Sequence, residues 1–166
     1  MTAEAAVLFV CLGNICRSPT AQAVFTKMAE EASLGALDID SAGTSGWHKG
    51  EPPDRRSREA GMERGYSFEG QMARKIDGAD FARFDYILAM SAENLAEFEY
   101  KAPKNWGGHL GLFMDFADRP NTDVPDPYYG GAQGFETVLD MVEAASRGLI
   151  AHIQARQNED SQPSSG

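Results

Sequence analysis

The sequence is poor in cysteine and has no long hydrophobic run. Its longest unbroken apolar stretch, residues 5–12, has 8 residues, whereas a membrane-spanning helix needs about 20. Residues 1–4 contain none of the basic residues that open a secretory signal. The only two cysteines, Cys11 and Cys16, lie so close together that they cannot link distant parts of a fold. We therefore expect a cytoplasmic protein in a reducing compartment, without a membrane segment.

Basic charge is also scarce, with 15 Lys and Arg against 25 Asp and Glu and a net charge of −10. A protein that binds a phosphate backbone normally carries a basic surface. We therefore expect neither nucleic acid nor an anionic membrane surface as a partner. An anionic ligand would need a local positive site, because the overall field of the protein repels it.

The chain has the size and composition of one globular domain. It has 166 residues, of which 42% are hydrophobic and 24% charged, close to the average for soluble domains. Residues 157–166 contain no hydrophobic residue, which predicts a disordered polar tail. The sequence thus predicts a domain over residues 1–156 followed by this tail.

Strand-like and helix-like segments alternate along the domain. Apolar runs predict four strands, and caps and apolar stripes predict helices between and after them. Ser18 is the predicted N-cap of the first helix and Ser91 of the third. This order predicts an α/β fold that is doubly wound and flavodoxin-like, a four-stranded parallel sheet with helices on both faces. The predicted strands are residues 6–10, 37–42, 84–90 and 109–113, and the other predicted helices are residues 54–64 and a last one with an apolar stripe from Phe135 to Ile153.

The loop after the first strand carries the chemistry. Gly13 and Asn14 tolerate a positive φ, so the turn can point successive N–H groups inward around an anion. The following helix start and the planar guanidinium of Arg17 add positive charge. These surroundings favour the thiolate of Cys11, to which the Ser18 hydroxyl can donate. A cysteine after a buried strand is otherwise a small hydrophobic residue, but the whole pattern predicts a nucleophile beneath a phosphate site.

These segments together resemble the low-molecular-weight protein tyrosine phosphatases. The resemblance rests on residues 11–19, on Ser41-Ala42-Gly43-Thr44, on Trp47, and on residues 84–88 and 126–130, and it extends over about residues 5–155. It implies hydrolysis of phosphotyrosine in proteins, and of aryl phosphates, through a cysteinyl-phosphate on Cys11. It implies no cofactor, and no His/Cys cluster has metal-ligand spacing. The implied phosphate-binding and supporting residues are Leu12, Gly13, Asn14, Ile15, Cys16, Arg17 and Ser18.

A phenolate leaving group needs a proton donor. Asp126 stands between two prolines that stiffen its loop, and the resemblance implies that it acts as the acid and then as the base. Asp115, Asp118 and Asp123 are lesser candidates. An aspartate of an ordinary turn is the alternative for each of them.

The resemblance also implies roles around the phosphate. Trp47, Tyr128 and Tyr129 would line the substrate cleft, although aromatic residues more often serve packing alone. Ile15 goes with phosphotyrosine, because phosphoarginine phosphatases of the family typically carry Thr there. Cys16 could form a disulfide with an oxidised Cys11 and make the enzyme redox-sensitive. The chain departs from many family members at two positions that support the loop. It has Gln71 where they have His, and Ser91 where they have Asp.

Three other functions compete with this interpretation. An arsenate reductase that relays a disulfide needs further cysteines, and none follows Cys16; a glutathione-coupled reductase would not need them and stays an alternative. An inactive phosphotyrosine-binding module would not need Asp126. A papain-like enzyme would need a histidine beside Cys11, with only His48, His109 and His152 available. The expected partners are phosphotyrosine proteins, with a cognate tyrosine kinase as a candidate, and a monomer is favoured.

Overall fold

A computed structural model describes residues 5–119, 121–127 and 131–161. Four parallel strands form one sheet, β1 (Ala5–Cys11), β2 (Leu37–Gly43), β3 (Tyr86–Ala89) and β4 (His109–Leu112). The strand order is β2-β1-β3-β4, which is the doubly wound arrangement that the sequence predicts. The fold prediction is therefore confirmed.

The described ranges contain five α-helices. They are α1 (Arg17–Glu31), α2 (Arg55–Glu63), α3 (Asp80–Arg83), α4 (Ala92–Phe98) and α5 (Gly131–Ser161). Short 3₁₀ turns follow α4 at Glu99–Lys101 and β4 at Phe113–Ala117. No helix in the described ranges is long and apolar enough to cross a membrane.

The central strand β1 explains why two apolar layers form. All its residues are buried, because alternate side chains point to opposite faces and each face is covered. Val7 and Phe9 belong to the core shared with α1 and α5, where the Phe9 ring packs edge-on against Phe25. Leu8 and Val10 belong to the core shared with α3 and α4.

The first helix begins differently from the prediction. The predicted N-cap, Ser18, lies inside α1, and the residue before the helix is Cys16, which makes no side-chain capping bond. The Ser18 hydroxyl is instead engaged with Cys11 and Asn14. The capping prediction was therefore wrong for Ser18, whereas Ser91 does cap α4 by accepting from the amide of Asn94 at 3.1 Å.

The last helix extends past residue 156, where the sequence predicts the domain to end. It continues to Ser161, whereas the sequence predicts a disordered tail from residue 157. Gln157 shows why the helix persists, since its amide donates to the Leu34 carbonyl at 3.0 Å and ties this turn to the domain. Residues 162–166 lie outside the described residues.

The carboxyl ends of the strands meet at one edge, as they must in a parallel sheet. Cys11 at the end of β1 pairs in register with Gly43 at the end of β2. Beyond β3, the carbonyl of Met90 accepts from the amide of Val124 at 2.8 Å. The loop after β1 and the segment 121–127 therefore meet at this edge, where ligands bind in such sheets.

Candidate active site

The loop between β1 and α1 turns sharply at Asn14, which has a φ of +58°. Its neighbours hold it from outside, since the carbonyls of Cys11 and Leu12 accept from the amides of Thr44 and Ser45, both at 2.9 Å. The approach of β2 requires a glycine, because a Cβ on Gly43 would lie 2.7 Å from the Leu12 carbonyl oxygen. The end of β2 therefore shapes the loop.

A buried polar network fills the space behind the loop. The Asn14 side chain, 2% exposed, donates to the hydroxyls of Ser18 at 2.8 Å and Ser41 at 3.0 Å. Its carbonyl oxygen accepts from the backbone amide of Arg74 at 3.0 Å. The positive φ of Asn14 is thus fixed by three hydrogen bonds, which keep the loop in one conformation.

The thiol of Cys11 lies at the floor of the loop. Cys11 is 3% exposed and its Sγ lies 3.0 Å from the Ser18 Oγ. Helix α1 begins at Arg17, which lines the same cavity as Cys11, so the positive end of the helix lies near the thiol. This is the environment that the sequence predicts for Cys11.

The guanidinium of Arg17 points inward. Its residue is 8% exposed, and Nη1 donates to the carbonyl of Val124 at 3.2 Å. This bond links the loop after β1 to the segment 121–127. The positive charge needed for an anion on an acidic protein is therefore placed next to Cys11.

A cavity of about 210 Å³ opens above the thiol. It brings together most of the predicted site residues and adds Ser45 and His48, which the prediction did not include. Asn14 and Ser18 lie behind the cavity as supports, and Tyr128 and Tyr129 fall outside the described residues. The lining residues are Cys11, Leu12, Gly13, Ile15, Cys16, Arg17, Ser45, Trp47, His48 and Asp126. A larger cavity of about 460 Å³ at the opposite edge of the sheet contains no predicted site residue.

Among the four candidate aspartates, only Asp126 lines the cavity. The carboxylate of Asp123 accepts from the amide of Ala92 at 2.9 Å at the start of α4. Asp118 adopts a left-handed conformation with φ +57° at the end of a 3₁₀ turn, and Asp115 lies inside that turn. Position thus separates Asp126 from the other three.

The second cysteine differs from the first. Burial, together with the nearby negative charges of Asp54, Cys11 and Asp126 and against the lowering effect of the Ser57 hydroxyl, raises the pKa of Cys16 to about 12. Cys16 is therefore a neutral thiol near pH 7. Both cysteines are free thiols in this structure.

The two residues that depart from the resemblance make different contacts. Gln71 donates to the carbonyl of Pro19 at 3.2 Å and so braces the first turn of α1. Ser91 caps α4 and lies one residue beyond Met90 at the end of the third strand. Each side chain supports an element next to the loop, whereas Asn14 and Ser18 make side-chain hydrogen bonds within it.

Besides Ser45, two further site residues were not predicted from the sequence. Ser41, which appeared only as part of a matching segment, accepts from Asn14 inside the network. His48 lines the cavity, and its ring would lie 3.0 Å from a Cβ on Gly13. The His48 Nδ1 pairs with the carboxylate of Glu51. Only the approach of β2 to the loop reveals these roles, and no spacing within the sequence encodes it.

The site combines a buried thiol and guanidinium at a strand–loop–helix turn with a carboxylate at the cavity mouth. On a parallel α/β fold, this combination defines the class of cysteine-dependent phosphatases. The family model of the low molecular weight phosphotyrosine protein phosphatases matches residues 6–159. The chain belongs to this family and is a hydrolase of the protein-tyrosine phosphatase type.

Individual relatives agree with this assignment. The chain is 43% identical over 150 residues to the low molecular weight protein-tyrosine-phosphatase YfkJ of Bacillus subtilis, covering 89% of this chain and 95% of that protein. A protein tyrosine phosphatase from Entamoeba histolytica superposes with a TM-score of 0.86 at 40% identity, over 92% of this chain and 99% of that one. A drosophila arginine phosphatase superposes with a TM-score of 0.83 at 30% identity, over 88% and 96% of the two chains.

Proposed function

We propose that Cys11, Arg17, Ser18 and Asp126 carry out the hydrolysis of phosphotyrosine in two steps. The Cys11 thiolate attacks the phosphorus, and the bond from phosphorus to the tyrosine oxygen breaks. A water molecule then attacks the phosphocysteine, the phosphorus–sulfur bond breaks, and inorganic phosphate leaves. The observation that carries this proposal is the Cys11 sulfur, 3.0 Å from the Ser18 hydroxyl, in one cavity with Arg17 and Asp126.

Asp126 handles the proton in both steps. In the first, its carboxylic acid gives a proton to the departing phenolate, which is a poor leaving group without it. In the second, the resulting carboxylate takes a proton from the attacking water. Its place on the cavity wall and its exposure to solvent suit a group that must exchange protons at each turnover.

Arg17 and the loop amides hold the phosphoryl oxygens. A guanidinium offers a planar pair of donors to two oxygens, and the amides of residues 12–17 and the start of α1 surround the same charge. Leu12, Gly13, Ile15 and Cys16 shape this cradle. Ser18 donates to the sulfur and so stabilises the thiolate when it leaves the phosphorus.

Trp47 provides a flat wall for the tyrosine ring. It is 86% exposed at the cavity mouth, so the face of its indole ring is available to stack on an aromatic substrate. Ile15 gives the cavity an apolar side, which suits an aryl group better than a guanidinium. Tyr128 and Tyr129 remain predicted members of this cleft.

Cys16 is proposed to make the enzyme redox-sensitive. A peroxide would convert the Cys11 thiolate to a sulfenic acid, and the Cys16 thiol would displace water to form a disulfide. Both thiols are buried within one short loop, which supports this pairing. Mass spectrometry after mild peroxide tests it, since a lasting sulfenic or sulfonic acid on Cys11 with Cys16 free would refute it.

The proposed setting is the cytoplasm, with phosphotyrosine proteins as substrates and a cognate tyrosine kinase as a candidate partner. A monomer is favoured, and no nucleic acid or membrane partner is proposed. The net charge of −10 supports the exclusion of polyanions.

Turnover of p-nitrophenyl phosphate tests the assignment of the nucleophile. We expect vanadate to inhibit the wild-type protein and Cys11→Ser to lose at least about a thousandfold in kcat with an unchanged thermal unfolding midpoint. Cys16→Ser is the control, because it makes the same change from a thiol to a hydroxyl in the same loop. It should keep measurable turnover. Equal loss in the two variants would mean that Cys11 only packs the loop.

The substrate class is tested with matched peptides that carry phosphotyrosine, phosphoserine or phosphoarginine. We expect the highest kcat/KM for phosphotyrosine. Ile15→Thr should raise the ratio of phosphoarginine to phosphotyrosine turnover, since it removes apolar surface from the cavity wall. A wild-type preference for phosphoarginine would contradict the proposed substrate.

A further inference from the structure

A line of side-chain hydrogen bonds runs from α1 back to the thiol. The Gln22 Oε1 accepts from the hydroxyl of Ser41 at 2.7 Å. The Asn14 Nδ2 donates to Ser41 at 3.0 Å and to Ser18 at 2.8 Å, and the Ser18 Oγ lies 3.0 Å from the Cys11 sulfur. Ser41, Asn14 and Ser18 are 4%, 2% and 0% exposed, so water cannot readily replace these partners.

Backbone groups at both ends fix the orientation of the two amides. The amide of Arg74 donates to the Asn14 Oδ1 at 3.0 Å, so the NH₂ group of Asn14 must face the two hydroxyls. The Gln22 Nε2 lies 3.5 Å from the carbonyl of Ile39, which leaves its oxygen toward Ser41. Neither side chain can turn over without losing a backbone partner.

These orientations determine where each hydroxyl hydrogen points. Ser41 accepts from Asn14, so its single hydrogen goes to Gln22. Ser18 also accepts from Asn14, and its hydrogen has two acceptors within reach, the Cys11 sulfur at 3.0 Å and the Ala42 carbonyl at 3.4 Å. The sulfur takes it whenever it carries charge, because a charged acceptor forms the stronger bond.

We infer that Gln22 is a positioning residue that aims the Ser18 hydroxyl at Cys11 through Ser41 and Asn14; this rests on the proposed role of Cys11 as the nucleophile. Without the Gln22 acceptor, the buried hydroxyl of Ser41 must turn to find another partner. Asn14 then loses one of its two acceptors and holds Ser18 less firmly. The thiolate is stabilised less, both when it forms and when it leaves phosphorus.

The test compares two substitutions of Gln22. Gln22→Met removes the acceptor with little change in size, and Gln22→Glu keeps an acceptor oxygen. For Gln22→Met we expect kcat on p-nitrophenyl phosphate to fall about three- to tenfold, KM to stay within twofold, and the acid limb of the kcat/KM profile to move to higher pH. Gln22→Glu should keep kcat within twofold of wild type, although its added negative charge also moves the acid limb to higher pH. Lys27→Met, on the same helix and outside the network, should leave both kcat and the profile unchanged.

A double-mutant cycle shows whether the effect passes through Ser41. Ser41→Ala alone should shift the acid limb in the same direction, and adding Gln22→Met should then cost nothing more. Additive effects, a wild-type profile in Gln22→Met, or equal impairment in Gln22→Glu would overturn the inference. If Gln22→Met does not fold, Gln22→Ala takes its place, and a wild-type profile in Gln22→Ala overturns the inference. Failure here with an inactive Cys11→Ser leaves the proposed function intact, whereas an active Cys11→Ser removes both.

Discussion

The two halves of the site are held in opposite ways. In the loop of residues 11–18, the polar side chains of Asn14, Arg17 and Ser18 are buried, and each has a hydrogen-bond partner inside the protein. In the segment 121–127, by contrast, Asp126 is exposed and the anchoring residue is Val124, fully buried, with its amide on Met90 and its carbonyl on Arg17.

This difference matches the different tasks proposed for the loop and for the segment. The proposed nucleophile and phosphate-binding loop must keep one geometry, because they act through donors that are fixed before the charge develops. The proposed acid must meet substrate, solvent and product in turn, so an exposed position suits it. Changes to the loop should therefore affect every substrate, and changes to the segment should depend on the leaving group.

The largest effect is expected for Arg17→Lys. A lysine keeps the charge but loses the planar pair of donors and the bond to Val124 that joins the two halves. We expect kcat/KM to fall about a thousandfold for p-nitrophenyl phosphate and phenyl phosphate alike. Arg55→Lys is the control, because Arg55 is exposed at the start of α2 and should stay within twofold. A small loss in Arg17→Lys would show that the loop amides alone hold the phosphate.

A smaller and substrate-dependent effect is expected for Asp126→Asn. Without the proton donor, phenyl phosphate turnover should fall about a hundredfold, while the first step with p-nitrophenyl phosphate should change much less, because its leaving group needs less help. Asp123→Asn is the control, because it makes the same charge change in the same segment. It should leave the dependence of the rate on the leaving group as in wild type. Wild-type rates on phenyl phosphate in Asp126→Asn would defeat the assignment.

Trp47→Ala should have a modest effect on substrate binding. Loss of one stacking partner, worth about 1 kcal/mol, should raise KM for a phosphotyrosine peptide about fivefold and leave kcat and thermal stability close to wild type. Trp106→Ala is the counterpart, because that ring packs edge-on against Phe81 with centroids 5.2 Å apart. It should lower stability without changing KM, and a KM effect of Trp106→Ala would contradict the cleft.

No measurable alkylation of Cys16 by an external reagent is expected near neutral pH. Its pKa is raised to about 12 by burial, so the thiolate forms only as the pH approaches that value. Iodoacetamide at pH 7 to 8 should therefore label Cys11 and leave Cys16 unmodified, as peptide mass spectrometry would show. Comparable labelling of both thiols would mean that the loop opens in solution.

Much of this arrangement follows from local sequence. The apolar run of β1, the stripe of α5 and the Ser91 cap are local signals, and the structure has each of them. The turn at Asn14 and the inward Arg17 also follow from the physics of a strand–loop–helix junction. These features depend on residues close in the chain, and such interactions are the ones that a pattern can report.

The remaining features depend on contacts between distant segments. Ser18 is a good cap by its residue type, but its hydroxyl is used by Cys11 and Asn14. The short helix α3 has too few residues for an apolar period, and the extra turns of α5 depend on a contact with Leu34. The partnership of Gln22 with Ser41 exists only because α1 packs beside β2, which no spacing in the sequence indicates.

Rapid quenching followed by mass spectrometry of the protein tests whether Cys11 forms a phosphocysteine. Asp126→Asn should accumulate the intermediate with p-nitrophenyl phosphate, because the first step needs little acid while the second lacks its base. We expect one phosphoryl group per chain, on Cys11, and none in Cys11→Ser. A phosphoryl group on another residue, or an unmodified protein during turnover, would contradict it.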